Sequence, residues 1–124
     1  MTVPPSRTSV LVVEDDPVLR LCITDNLSEL GFELFEAADA QEAIDQLTRH
    51  ETIGVMFTDV DMPGDMNGIG LAELVKDRWP PVRIIVTSGK HRLCGADLPH
   101  ASRFLPKPYT PATVATTIRD MTKA

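Results

Sequence analysis

Short clusters of polar residues, each set directly behind an apolar run, carry the chemistry this sequence can offer. Glu14, Asp15 and Asp16 follow VLVV at 10–13, and Asp59 follows IGVMFT at 53–58, with Asp61 two residues on. Ser88 follows VRIIVT at 82–87, and Lys107 follows RFLP at 103–106. Carboxylates gathered without compensation repel one another and raise each other's pKa, so such a set calls for a cation. A hard, all-oxygen donor set suits Mg2+, which is held by one or two carboxylates and keeps positions for water and phosphoryl oxygens. The Lys107 ammonium adds a second positive charge. This combination is suited to phosphoryl transfer: Asp59 attacks phosphorus to form an acyl phosphate, Mg2+ and Lys107 neutralise the equatorial oxygens, and Ser88 donates a hydrogen bond.

These residues meet only if the elements bring them together. The run at 10–13 is continuously apolar and β-branched and stops abruptly at the acidic triplet, as a strand buried on both faces does. Asp16 then caps a helix with Pro17 in its first turn, and Leu19, Ile23, Leu27 and Leu30 recur at helical spacing until Gly31. A short strand follows over 32–37. Asp39 and Glu42 open a second helix that ends near His50, with Ala43, Ile44 and Leu47 on one face.

The strand at 53–58 is followed by the loop VDMPGDMNG and a helix carrying Leu71, Leu74, Val75 and Trp79, closed by Pro80 and Pro81. The strand at 82–87 comes next. Residues 90–102, KHRLCGADLPHAS, hold little periodicity and predict a short or irregular fourth helix. A brief strand at 103–106 leads to Thr110 and Pro111, which open a last helix with Val114, Ile118 and Met121 facing inward. Strands alternating with helices, joined by right-handed crossovers, imply a doubly wound α/β fold with a parallel sheet. Function in such folds collects in the crevice outside the carboxyl ends of the strands, where every cluster above is placed.

At this point the sequence resembles response-regulator receiver domains over about 9–121, because VVEDDP, TDVDMPG, VTSG and FLPKPY match that family's motifs in order. The resemblance implies a flavodoxin-like (βα)5 fold with strand order 2-1-3-4-5. It implies Glu14 and Asp15 as the acidic pair, with Asp15 a direct Mg2+ ligand, Asp59 the phosphoacceptor and further ligand, and Asp61 a ligand through its backbone carbonyl. Ser88 matches the switch hydroxyl, Lys107 the lysine before a cis Pro108, and Phe104 the switch aromatic. Strand alternation lets only one of Thr87 and Ser88 point at the site, and the place just before Gly89 favours Ser88. Phe104 also reads as an ordinary core aromatic. Implied partners are a histidine kinase or histidine phosphotransfer protein as donor and a downstream protein target, with the chain a monomer or a phosphorylation-dependent dimer. The GDMNG loop is one residue longer than the family's usual one.

The bulk properties agree. A chain of 124 residues fits one domain, read here as a loose tail over 1–8 and a receiver over 9–124. A net charge of −6 speaks against a nucleic-acid or membrane-surface footprint. Neither Cys22 nor Cys94 has metal-type spacing, His91 and His100 read as surface or packing residues, and Lys90 as a solvated charge. With no signal-like apolar segment in MTVPPSRTSV and no run long enough to span a bilayer, the expected location is the cytoplasm. Two rivals remain in view. Asp59 and Asp61 form a D-x-D that also resembles haloacid-dehalogenase-like phosphatases, although the chain lacks room for their cap domain. A pseudo-receiver would keep the fold as an interaction module without phosphorylation. The receiver reading predicts a switch that catalyses its own phosphorylation and slow dephosphorylation, not a turnover enzyme.

Overall fold

The computed structural model describes residues 8–62, 64, 66–89, 98 and 102–122. Its elements are β1 (Ser9–Val13), α1 (Pro17–Glu29), β2 (Glu33–Ala37), α2 (Ala40–Arg49), β3 (Ile53–Asp59), α3 (Gly68–Arg78), β4 (Arg83–Ser88), β5 (Arg103–Pro106) and α4 (Pro111–Thr122). The strands form one five-stranded sheet in the order β2-β1-β3-β4-β5, parallel throughout. This is the doubly wound topology the alternation predicts. The short or irregular fourth helix predicted over 90–102 lies outside the described residues apart from Leu98 and Ser102, as do Lys90, His91, Cys94 and His100. Of the tail, only Thr8 is described, and its carbonyl accepts the Glu33 N–H at 3.0 Å.

Central strands buried on both faces explain the apolar runs. From β1, Leu11 and Val13 pack with Met56, Ile84 and Val86 beneath α2 and α3, through Ala43, Leu47, Leu71 and Val75. On the opposite face Val10, Val12, Phe57 and Ile85 pack beneath α1 and α4, through Ile23, Leu27, Val114 and Ile118. Each fully buried aliphatic or aromatic side chain contributes about 1.5–3 kcal/mol, so these two layers supply the driving force of the fold. The ionisable groups buried in the sheet, Glu14 and Asp59, lie at the strand ends.

The helix ends carry the local signals. Asp16 accepts the N–H groups of Val18 and Leu19 at 2.9 and 3.3 Å. At the other end of α1, Gly31 has φ +99°, the Phe32 N–H returns to the Leu27 carbonyl and the Gly31 N–H to Ser28. Phe32 and Leu27 pack together in the core, which completes a Schellman stop. Asp39 accepts the Glu42 N–H at 2.9 Å, while Glu42 reaches back to the Ala38 N–H at 3.0 Å.

The structure departs from the sequence pattern on α1. Ile23 and Leu27 are buried, but Leu19 and Leu30 are each 44% exposed, and the inward stripe is completed by Thr24. Thr24 can face the core because its hydroxyl donates to the Arg20 carbonyl at 2.9 Å. Helix α3 begins a turn ahead of Leu71, because Asn67 caps it through the Ile69 and Gly70 N–H groups, both at 3.0 Å.

Gly68, the first residue of α3, donates its N–H to the Val60 carbonyl at 2.9 Å. A Cβ there would run into the Asp59 carbonyl and stand 2.9 Å from the Val60 Cα, both backbone atoms. The helix therefore packs directly on the end of β3. Gly68→Ala is expected to lower stability by about 1–3 kcal/mol through overpacking. Gly54→Ala, where a Cβ meets nothing within 4 Å, should be neutral or slightly stabilising. Urea unfolding of the two variants checks the contrast.

Candidate functional site

The carboxyl ends of β1, β3 and β5 deliver Glu14 and Asp15, Asp59, and Lys107 to one place. Ligand oxygens of Glu14, Asp15 and Asp59 all lie within 4.8 Å of one another. Glu14 and Asp59 are buried and Asp15 is exposed. The Lys107 Nζ sits 3.1 Å from Asp59 Oδ2 and 3.6 Å from Glu14 Oε1. Three carboxylates thus face one ammonium among the described residues.

Backbone geometry fixes each member. The Glu14 N–H donates to the Ala37 carbonyl at 3.0 Å, extending the β1–β2 pairing one residue past the strand. Its own carbonyl accepts from Arg20 Nη1 at 2.7 Å, and Arg20 Nε pairs with Glu36 at 3.2 Å. The Asp61 N–H donates to Asp59 Oδ1 at 3.3 Å, and the Asp61 side chain accepts from the Ser88 hydroxyl at 3.4 Å. The Lys107 N–H donates to the Ser88 carbonyl at 3.0 Å, and the Lys107–Pro108 peptide is cis.

The β4–β5 register separates Thr87 from Ser88. Val86 lies opposite Phe104 and Ser88 opposite Pro106, so Ser88 projects to the same face of the sheet as Val86 and Phe104. Phe104 is half-buried and packs against the α2–α3 side of the core. Thr87 lies opposite Asp59 and projects to the other face, fully buried. Ser88 and Phe104, paired by resemblance in the sequence, thus share a surface of the sheet. Asp16 serves as the helix cap and stands outside the carboxylate cluster.

Electrostatics follow from the crowding. Burial raises the Glu14 carboxyl above its ordinary 4.5; the hydrogen bond with Asp15 and the charge of Asp59 add to it, while the Asp16 N–H and Lys107 oppose it. For Lys107, burial pulls the ammonium down, but the hydrogen bond and charge of Asp59, with Glu14, outweigh it and leave the group raised above 10.5. Lys107 is therefore charged at neutral pH. Excess negative charge and hard oxygen donors make the cluster fit a divalent cation.

Sequence reasoning missed Arg20, whose only signal is a basic residue inside a cap-proximal turn. It also gave Tyr109 no role. The Tyr109 ring meets Phe57 edge-on at 5.3 Å and stands beside Lys107; burial raises its phenol above the ordinary value.

Comparison with known proteins agrees with the geometry. Residues 10–119 match the family described as the response regulator receiver domain. The chain belongs to that family. A chemotaxis protein CheY homologue from Campylobacter jejuni is 30% identical over 118 residues, covering 90% of each chain. The structure is similar to a response regulator receiver protein from Pseudomonas putida, with a TM-score of 0.83, 29% identity, and 94% and 99% of the two chains covered. A receiver protein from Sinorhizobium medicae shares the fold at a TM-score of 0.85 and 24% identity, with 94% of each chain covered. The family is a signalling module of two-component systems, and the phosphatase-like and pseudo-receiver alternatives are not favoured. No helix among the described residues is long and apolar enough to cross a membrane.

A cation held by this cluster would compete with the Glu14 proton. Because the folded value of Glu14 is raised, its protonation stabilises the metal-free fold fully below the unfolded value of 4.5. That contribution is lost as pH rises through the folded value. A hard divalent cation at about a hundredfold above its dissociation constant should add roughly 2.7 kcal/mol of stability at neutral pH. The gain should shrink as pH falls and the proton displaces the ion. Thermal melts with and without the cation, across acidic to neutral pH, check this; Asp15→Asn should remove most of the gain.

Proposed function

We propose that Asp59 accepts a phosphoryl group from a phosphohistidine of a histidine kinase or phosphotransfer protein, and that the chain then changes its contacts with a downstream protein. The observation that carries this reading is the Lys107 ammonium 3.1 Å from Asp59 Oδ2, within a cluster of carboxylates that needs a cation. An Asp59 oxygen attacks phosphorus in line with the departing imidazole nitrogen; the P–N bond breaks and its electron pair leaves with the imidazole. Lys107, already paired with Asp59, neutralises an oxygen of the transferring group. Ser88 donates its hydroxyl proton to another. Glu14, Asp15, Asp59 and the Asp61 carbonyl are the groups that would hold Mg2+, which when bound offsets the negative charge of the phosphoryl oxygens and the carboxylates.

Phe104 shares the Ser88 face, which supports its reading as the aromatic that responds to Ser88. The chain acts as a switch that phosphorylates itself once per molecule and does not turn over substrate. We place it in the cytoplasm, as a monomer or a dimer formed on phosphorylation, without direct nucleic-acid or membrane contact.

With Mg2+ and a small acyl phosphate donor, intact mass should rise by one phosphate, and Asp59→Asn should abolish the gain. Lys107→Ala should slow labelling by about a hundredfold, the scale of losing one fixed electrostatic partner. Steady hydrolysis of generic phosphate esters, or a label that persists in Asp59→Asn, would overturn the reading.

A further inference from the structure

We propose that the Asp61 side chain is a latch that holds Ser88 in the unphosphorylated arrangement and competes with the phosphoryl group for its proton. The inference rests on Asp59 being the phosphoacceptor and concerns the regulation of that site. Asp61 is tied at both ends of its residue: its N–H donates to Asp59 Oδ1 at 3.3 Å, while its Oδ2 accepts from the Ser88 hydroxyl at 3.4 Å. The first bond folds the chain after β3 over the phosphoacceptor. The second carries the Asp61 carboxylate across to the end of β4.

A serine hydroxyl has one proton to donate. In this arrangement it is directed at the Asp61 carboxylate in a partly buried setting. A phosphoryl oxygen on Asp59 can receive that proton only after the bond to Asp61 breaks. The backbone around Ser88 is held in place: its carbonyl accepts the Lys107 N–H, and the next residue inward, Thr87, is paired opposite Asp59. The proposed release is a rotation of the Ser88 side chain away from Asp61. The Asp61 carboxylate also adds negative charge beside the place where the phosphoryl dianion forms. Hydrogen bond and charge oppose the switched arrangement together, and substitution separates them. Asn at position 61 keeps an acceptor without charge, while Ala removes both.

The experiment uses the full chain with Mg2+ and limiting small acyl phosphate, comparing wild type, Asp61→Ala, Asp61→Asn, Ser88→Ala and the double variant Asp61→Ala with Ser88→Ala. The phosphorylated fraction is read by intact mass, and the Ser88 and Gly89 resonances by NMR before donor is added. A latch predicts that Asp61→Ala raises the phosphorylated-to-free ratio about fivefold, the scale of one net hydrogen bond. Asp61→Asn should fall between it and wild type. In the Ser88→Ala background, removal of Asp61 should have a clearly smaller effect, since no proton remains to be released. Before phosphorylation, the Ser88 and Gly89 resonances of Asp61→Ala should move toward those of phosphorylated wild type. An effect equal in both backgrounds, or no effect with labelled wild type, overturns the latch and leaves the phosphoacceptor reading intact. Wild type that takes no phosphate overturns both.

Discussion

Everything at the functional edge depends on one electrostatic constraint, the crowding of Glu14, Asp15 and Asp59, two of which pair with the Lys107 ammonium. Burial raises the Glu14 carboxyl, and its hydrogen bond with Asp15 and the nearby charge of Asp59 add to that rise. The rest of the fold sustains this arrangement. Glu14 is pinned through its backbone by Ala37 and Arg20, Asp59 by the end of β3, and Lys107 through its N–H to Ser88. The two apolar layers keep the strands aligned, so their polar ends cannot relax apart without loss of core contacts.

Much of this was legible in the sequence because burial on both sheet faces leaves a plain signature. The apolar stretches of β1, β3 and β4 end as their strands leave the interior, so the polar residues at their carboxyl ends mark the active edge. Gly31, Asp39 with Glu42, and Thr110 were equally readable, since helix ends need a positive-φ residue or a side-chain acceptor and few residue types supply one. The start of α3 was harder to place, because Asn67 and Gly68 both look like loop residues until the packing of Gly68 on the Asp59 backbone is known.

What periodicity does not encode is which apolar residues find a partner. Leu19 and Leu30 fit the helical stripe of α1 as well as Ile23 and Leu27, yet only the central pair joins the core beneath the helix. The uncovered Leu19, with Cys22, lines a groove of about 520 Å3 that Lys107, Pro108 and Tyr109 also border. Lys107 accordingly borders this groove while its ammonium pairs with carboxylates, an arrangement that long cationic side chains permit. The sequence identified its charge but had no means of showing the groove it borders.

Asp61 shows the same limit more sharply. Its backbone position follows from being two residues beyond Asp59, whereas its side chain is directed by a strand 27 residues away. Placed there, it opposes Lys107. The ammonium lowers the energy of added negative charge at Asp59, and the Asp61 carboxylate raises it while engaging the hydroxyl that would stabilise it. A site with only the attractive partner would favour the phosphorylated arrangement strongly; a nearby repulsive group that also holds Ser88 brings the two arrangements closer in energy, which is the condition a reversible switch requires.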